Sequence, residues 1–541
     1  MSMINIIGAG LAGLSAAITA AESGRKCRLI SVLPSERAQS VMAEGGINAA
    51  LDTMGENDTP QEHFNDTMKG GVYLADPNAV WGLCSHAPET VRWLCSIGAP
   101  LYMKGKDPVL RNFGGQKKKR TAYAKSSTGK ILMNAMIDQA RKYEAEGLIE
   151  RYPHHEFSSL VMNEGVCVGV DVIDIYTHQR ISLDGCVILA SGGMNSLFPG
   201  LTTGTTVNTG DVTAAVFFQG AELANLEFIQ YHPTTISIPQ KRCLISEAAR
   251  GEGGRLYIEK DGKPWYFMEE KYPELGNLMP RDVVSREMEI VRRDDKCGDR
   301  VYLDMTGISE FCWKNKLSDL RQECIDFLGL DPAKDPIEVS PGIHYFMGGV
   351  CVDEHHRTNI RGLYAAGECA CQYHGANRLG GNSMLGAIYG GKTAAKEAAV
   401  LADDAEYDAK QVKRMENEEQ NGDSFVAEQD YSINRYSAEV LKQALGIFRN
   451  EQGLNDALKE IDSRLSGNSL TKKQYRRLLL AKAVLLSALE RKESRGAHTR
   501  EDYPDRNDSE FQKTTIAVFD GKEIKISMRD IPVKRGNDNE I

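Results

Sequence analysis

The chain has 541 residues, of which 41% are hydrophobic and 26% charged, which is enough apolar material for several cores rather than one. A formal net charge of -10 spread along the chain excludes a general nucleic-acid surface, and the short basic run Lys117 to Arg120 reads as a solvated turn. Twelve cysteines scattered from Cys27 to Cys371 form no CxxC pair and no zinc or iron-sulfur spacing, so a metal cluster is expected only on another chain, and the thiols read as reduced, as in a cytoplasm.

Residues Ile4 to Ile7 are a short apolar run ending in Gly8-Ala9-Gly10-Leu11-Ala12-Gly13, after which Leu14, Ala17, Ile18 and Ala21 recur at helical spacing. A second strand is expected over Cys27 to Val32. Glycines in the turn of such a β-α-β unit permit a tight bend, close backbone approach to a pyrophosphate and close helix-strand packing, while the helix N-terminus supplies a favourable dipole. Met3 to Ala21 carries this fingerprint and lacks a basic leading region, so no signal peptide is expected. No run of about 18 uninterrupted apolar residues follows, and membrane contact is expected only through a partner.

Further along, Cys186 to Ala190 ends in Ser191-Gly192-Gly193, and Gly362 to Ala366 ends in Gly367-Glu368. Either run alone fits an ordinary buried strand. Together they fit a nucleotide-binding sheet interrupted by an insertion over about Phe218 to Ile343, because the fingerprint needs more strands than the first 150 residues supply. Beyond Val400 the chain becomes charged and helix-forming, with Leu441, Ala444, Leu445 and Ile447, then Leu478 to Leu480 and Val484 to Leu486, as apolar faces. After Gly496 it is polar and β-like.

Five segments combine groups suited to a small dianion: Tyr231-His232-Pro233-Thr234, Ser246 to Gly254, Pro280-Arg281-Asp282, His344 to Gly349, and His374 to Ser383 with Arg378. Guanidinium groups match carboxylates with paired hydrogen bonds, and histidines complete such a clamp. Each His or Arg alone also fits a structural hydrogen bond or a surface ion pair. Flanking glycines favour the ligand reading, since they let backbone come close to a bound molecule.

On these motifs, with Glu44-Gly45-Gly46-Ile47, Asn208-Thr209-Gly210-Asp211 and Glu493-Ser494-Arg495-Gly496-Ala497-His498, the sequence resembles the flavoprotein subunits of fumarate reductase and succinate dehydrogenase from Ile4 to about Asp505. L-aspartate oxidase is a close relative of that family. The resemblance implies an α/β fold: a Rossmann-like FAD-binding domain (1–217 and 344–403), an inserted α+β capping domain (218–343), a helical domain (404–495) and a small C-terminal region (496–541). It implies that His232, Ser246, His344 and Arg378 hold substrate carboxylates, and that Arg281 donates a proton resupplied through Glu247 and Arg250. Gly8, Gly10, Gly13, Ser31, Ser40, Gly45, Gly46, Asp211, Glu368, Asn382, Ser383 and Leu385 are implied FAD contacts.

Gln39 aligns with the histidine that bonds covalently to FAD in many membrane-bound members, and an amide cannot form that bond. The expectation is therefore FAD held without a covalent link, a small dicarboxylate such as fumarate as substrate, and electrons from an iron-sulfur subunit with a quinone-linked membrane subunit beyond it. The chain itself is expected in the cytoplasm, on the membrane only through those partners. Phe113-Gly114-Gly115 followed by Arg120-Thr121 and Thr128-Gly129, the Met347-Gly348-Gly349 turn, and Leu379-Gly380-Gly381 favour fumarate chemistry over L-aspartate oxidation. A flavin-binding electron-transfer scaffold would lack one or more of His232, Arg281, His344 and Arg378, all of which are present.

Overall fold

The computed structural model describes residues 3–124, 127–238, 241–404, 407, 438–467 and 470–534. Residues 408–437, the start of the expected helical segment, lie outside the described residues. A five-stranded parallel sheet forms the centre, in the order Leu363–Ala365, Cys186–Leu189, Ile4–Ile7, Cys27–Ser31, Ile149–Pro153. Its inner strands Ile4–Ile7 and Cys186–Leu189 are short and buried on both faces because helices cover one side and further β structure the other. Ile4, Ile6, Leu29 and Ile188 point into one core, and Ile7, Ile30, Val187 and Leu189 into a second.

Helix Leu11–Glu22 follows the first strand and is built almost entirely of small or apolar residues, nearly all buried. It packs backbone to backbone against helix Asn382–Leu401: a Cβ on Gly391 would lie 2.1 Å from Ser15 Oγ and 2.2 Å from Ala12 O. This crossing brings the N-termini of the two helices to the same cavity, since Gly10 and Leu11 line it together with Gly381 and Ser383.

A six-stranded antiparallel sheet makes a second layer, in the order Lys241–Leu244, Ile229–Ile238, Ile337–Phe346, Cys297–Asp304, Arg255–Lys260, Lys263–Trp265. It has its own core, in which Ile258, Leu303, Val339 and Trp313 meet Val284 and Met288 of helix Arg281–Arg292 and Leu320 of helix Ser318–Leu328. Strand Leu223–Ala224 falls within the stretch read as inserted, yet it joins a different sheet, between Gly349–Cys351 and Lys513–Phe519. The C-terminal hairpin, Lys513–Phe519 with Ile524–Asp530, is thereby stitched into the body of the molecule.

Helices Glu451–Leu465 and Lys472–Glu490 form a pair, the second opened by a capping box in which Thr471 and Gln474 satisfy each other's backbone N–H groups. Leu478, Leu480, Val484 and Leu485 join the same core as helix Asp211–Phe218. A buried ionic network closes the junction: Arg491 donates to Glu227 at 2.6 Å and to Glu493 at 2.9 Å, and Arg495 donates to Glu493.

Candidate active site

A cavity of about 1810 Å³ runs from the first glycine turn to the seam between the central sheet and the inserted layer. At one end the chain bends at Gly8, whose φ of +116° and whose absent Cβ, which would lie 2.1 Å from Ala190 O, leave no room for another residue. Gly10, Ser31, Ser40, Gly45, Gly46, Glu368 and Ser383 all line the cavity. Ser40 Oγ accepts from Leu11 N–H at 3.2 Å, so it reaches the start of the first helix. Gly46 has φ +151°, and a Cβ there would meet Thr121 Cγ2 at 2.5 Å.

Four other expected cofactor contacts have partners in the scaffold. Gly13 stands behind the wall, where a Cβ would strike Gly8 O at 1.8 Å; its service is helix-strand packing. Asn382 is turned into the scaffold, accepting from Asn48 Nδ2 at 2.7 Å and donating to Thr67 Oγ1 at 3.0 Å, and Leu385 lies in the apolar core beneath helix Asn382–Leu401. Asp211 does line the cavity, but both its oxygens accept from Arg477 at 2.9 Å, with Lys473 at 3.4 Å. Burial alone would raise its pKa, and the two cations hold it below the usual carboxylate range. This carboxylate anchors helix Lys472–Glu490.

The other end of the cavity is lined by His232, Ser246, Glu247, Arg281, His344 and Arg378. Six residues from five separate segments of the sequence thus converge. Strand Ile229–Ile238 carries His232, its antiparallel neighbour Ile337–Phe346 carries His344, and the two rings lie 5.2 Å apart. Both imidazoles are pushed well below their ordinary pKa, first by burial and then by Arg281, so both are neutral. His232 Nε2 is buried with no hydrogen-bond partner among the described residues, while His344 Nδ1 shares a 2.7 Å hydrogen bond with Thr203 Oγ1. Ser246 caps the short helix Glu247–Gly251 by accepting from Ala248 N–H.

Arg281 opens helix Arg281–Arg292 and grips Glu247 with two N–H groups, Nη2 at 2.6 Å and Nε at 2.9 Å from Oε2. Arg250 lies behind, off the cavity wall, with Nη2 3.4 Å from the other oxygen of Glu247. Burial opposes charge on Glu247, but Arg281 and Arg250 keep its pKa lowered. Arg378, 3% exposed, has no carboxylate within 4 Å among the described residues; burial and the neighbouring Arg281 push it down to about 9. Its guanidinium rests over the Tyr345 ring at 4.4 Å.

Gln230 escaped the sequence reading and ties the two arginines together. Its Oε1 accepts from Arg281 Nη1 at 3.2 Å and from Arg378 Nη2 at 3.0 Å, and its Nε2 donates to Asn377 Oδ1 and Arg378 O, both at 2.8 Å. The available signal was its place two residues before His232 on one strand. Thr203 was also missed, with no local pattern to mark it, and the Phe113-Gly114-Gly115 motif was singled out without the role of its backbone, the Gly114 N–H that donates to Glu247 Oε1 at 3.1 Å.

Residues 4–384 match a family described as an FAD binding domain, and residues 471–537 one described as fumarate reductase flavoprotein C-term. The succinate dehydrogenase flavoprotein subunit of Bacillus subtilis (strain 168) is 40% identical over 550 residues, covering 95% of this chain and 94% of that protein. The chain belongs to the flavoprotein subunit family of succinate dehydrogenases and fumarate reductases. The fumarate reductase flavoprotein subunit of Haemophilus influenzae is 33% identical over 565 residues, covering 95% of this chain and 92% of that protein. Among solved structures, a quinol-fumarate reductase with menaquinol molecules aligns with TM-score 0.86 at 28% identity, over 98% of each chain. Mycobacterium smegmatis Sdh1 in complex with UQ1 aligns with TM-score 0.80 at 28% identity, over 98% of this chain and 95% of that one.

As a member of this family the chain is an FAD-dependent oxidoreductase. The cavity fits that cofactor: its glycine cradle has no space for a Cβ at Gly8 or Gly46, and Gly10 at the start of helix Leu11–Glu22 has no side chain to cap it, Ser40 taking the Leu11 N–H, so that the helix N-terminus and its dipole face the cavity for a phosphate. Gly8, Gly10, Ser31, Ser40, Gly45, Gly46, Glu368 and Ser383 would hold it. Glu368 is pushed up to about 7 by burial and accepts from Phe346 N–H at 3.1 Å, which makes it a ready hydrogen-bonding partner for a hydroxyl. Among the described residues no helix is long and apolar enough to cross a membrane.

Proposed function

We propose that the chain reduces fumarate to succinate, taking electrons from a separate iron-sulfur subunit that links it to a membrane quinone subunit on the cytoplasmic side. The observation that carries this reading is the charge balance at the inner end of the cavity. Of three buried guanidinium groups, Arg250 and Arg281 pair with the carboxylate of Glu247, Arg378 has no carboxylate within 4 Å among the described residues, and Arg281 and Arg378 converge on Gln230 Oε1. A small dicarboxylate dianion supplies the missing negative charge, and paired Arg–carboxylate hydrogen bonds give it a fixed orientation.

Bound FAD supplies a hydride to one alkene carbon. The chain's own residues do the rest. His232, Ser246, His344 and Arg378 hold the two carboxylates and polarise the alkene toward the electron pair. Arg281 donates the proton to the neighbouring carbon; a guanidinium is a weak acid, but the carbanion-like carbon that accepts is more basic still. Glu247 and Arg250, in line behind Arg281, return the proton. Gln39, which accepts from Thr205 N–H at 2.6 Å, offers no nucleophile for a covalent flavin bond, and this supports the reductive direction.

The test is steady-state turnover of the FAD-loaded chain against fumarate, succinate and L-aspartate with an artificial electron carrier. Fumarate-dependent oxidation of the reduced carrier, faster than succinate oxidation, is expected. Oxygen consumption with L-aspartate and no turnover of either dicarboxylate would replace the reading with amino-acid oxidation.

A further inference from the structure

Glu247 belongs to the inserted layer, yet the groups around its carboxylate come from both sides of the seam. Oε2 takes two N–H groups from Arg281, within the layer. Oε1 takes the backbone N–H of Gly114 at 3.1 Å and faces Arg250 Nη2 at 3.4 Å. Gly114 sits in the turn between strands Leu110–Arg111 and Thr121–Ala122, which pair with each other, the second also pairing with Ile47–Asn48 just after the Gly45-Gly46 wall of the cavity. The donor therefore reaches Glu247 from the cofactor side.

Space, and not backbone conformation, demands glycine here. Gly114 is outside the left-handed region, but a Cβ would lie 2.5 Å from Glu247 Oε1 and 3.2 Å from both Leu278 O and Met279 O. On the opposite side a Cβ on Gly380 would lie 2.9 Å from Glu247 Oε2. Two further ties hold the same seam: Gly115 N–H donates to Leu278 O at 3.2 Å, and Asn377 Nδ2 donates to Asp282 Oδ1 at 2.9 Å. A buried carboxylate is thus packed between two backbone segments that belong to the other layer.

We propose that the Gly114 N–H is a positioning group for the proton relay: it fixes the Glu247 carboxylate between Arg281 and Arg250 only while the 113–116 turn is seated on the inserted layer. Proton return is thereby coupled to closure of the seam. The inference rests on the relay reading above. With Oε2 held by Arg281, the amide N–H is the contact that fixes the rotation of the carboxylate plane and so the approach of Oε1 to Arg250. A donor on Oε1 also favours the anion, so its loss raises the pH at which Glu247 takes up a proton.

The experiment uses the FAD-loaded chain carrying Gly114→Ala, Glu247→Gln, and both. FAD content and malonate affinity are expected within about twofold of wild type for Gly114→Ala. Its kcat for fumarate reduction falls about tenfold or more, the acid limb of its pH profile moves to higher pH, and the double variant is no slower than Glu247→Gln alone. Losses that multiply in the double variant, or an unmoved acid limb, would overturn the inference. If Gly114→Ala fails to accumulate, hydrogen exchange in wild type and Glu247→Ala decides. Residues 113–116 should exchange about tenfold faster in the variant, and equal rates would refute the tie. If wild type itself does not reduce fumarate, the functional reading falls separately, and the exchange comparison still judges the contact.

Discussion

Arg378 offers the sharpest test of the dicarboxylate clamp, because the structure sets both the size and the pH dependence of its contribution. It is buried, it pairs with no carboxylate among the described residues, and burial with the nearby Arg281 holds it down to about 9. It is charged below that pH and neutral above, so a dianion binds best below about 9 and binding is progressively lost as pH rises through that value. Replacing it by glutamine removes one charge-assisted contact worth about 1.5 to 3 kcal/mol, or roughly 10- to 150-fold in the Kd of malonate at pH 7.5. The loss on raising pH, approaching about tenfold per unit, should vanish in the variant. Malonate titrations of the FAD-loaded protein from pH 7 to 10, read by perturbation of the flavin absorbance, measure both. An Arg378→Gln Kd within about threefold of wild type would refute the placement of this charge against a substrate carboxylate, and a wild-type Kd independent of pH over that range would refute its lowered pKa.

The remaining expectations concern the cofactor, the relay and the fold. Acid precipitation should leave the yellow colour in the supernatant, because Gln39 has no nucleophile for the flavin; a pellet that keeps its flavin through denaturing washes refutes this. Arg281→Gln should lower fumarate turnover by about 10² to 10⁴ while dithionite still reduces the flavin normally, and near-wild-type turnover would remove Arg281 from the chemistry. Gly8→Ala should yield protein unable to retain FAD, since the new methyl would sit 2.1 Å from Ala190 O at a φ of +116°; a full complement of flavin in the purified variant counts against the cradle. Arg491→Ala leaves Glu227 and Glu493, both fully buried, short of a partner and should destabilise the fold by about 3 to 5 kcal/mol in urea unfolding, with a change under about 1 kcal/mol ruling out a structural role.

Features written in local periodicity were legible before any coordinates. The strand at Ile4–Ile7, its glycine turn, the helix after it, and the strands Cys27–Ser31, Cys186–Leu189 and Leu363–Ala365 follow from runs of apolar residues, all but Cys27–Ser31 closed by glycine. So does the helix Lys472–Glu490. Residue chemistry was legible as well: arginines and histidines flanked by glycines suggested groups for an anion, which the structure brings to one cavity, and the resemblance named the family. Pairings across long separations were not. Leu223–Ala224 is too short to signal a strand, and it becomes one only because the C-terminal hairpin and Gly349–Cys351 arrive on either side of it.

The same division runs through the site. His232, Ser246, Glu247, Arg281, His344 and Arg378 could be picked out by type and setting. Their arrangement could not, because a side chain's direction is decided by the element that carries it and by what packs against that element. Asn382 and Leu385 belong to a promising segment yet point into the scaffold, since the helix they begin must bury that face against its neighbours. Asp211 sits on the cavity but spends its charge on Arg477, 266 residues away. Gln230 had only its place near His232 to mark it, and the Phe113-Gly114-Gly115 motif did not disclose the role of its N–H: a buried amide and a backbone group acquire their roles only when the inserted layer meets the central sheet, where burial makes each hydrogen bond to a charged group strong and each missing one costly.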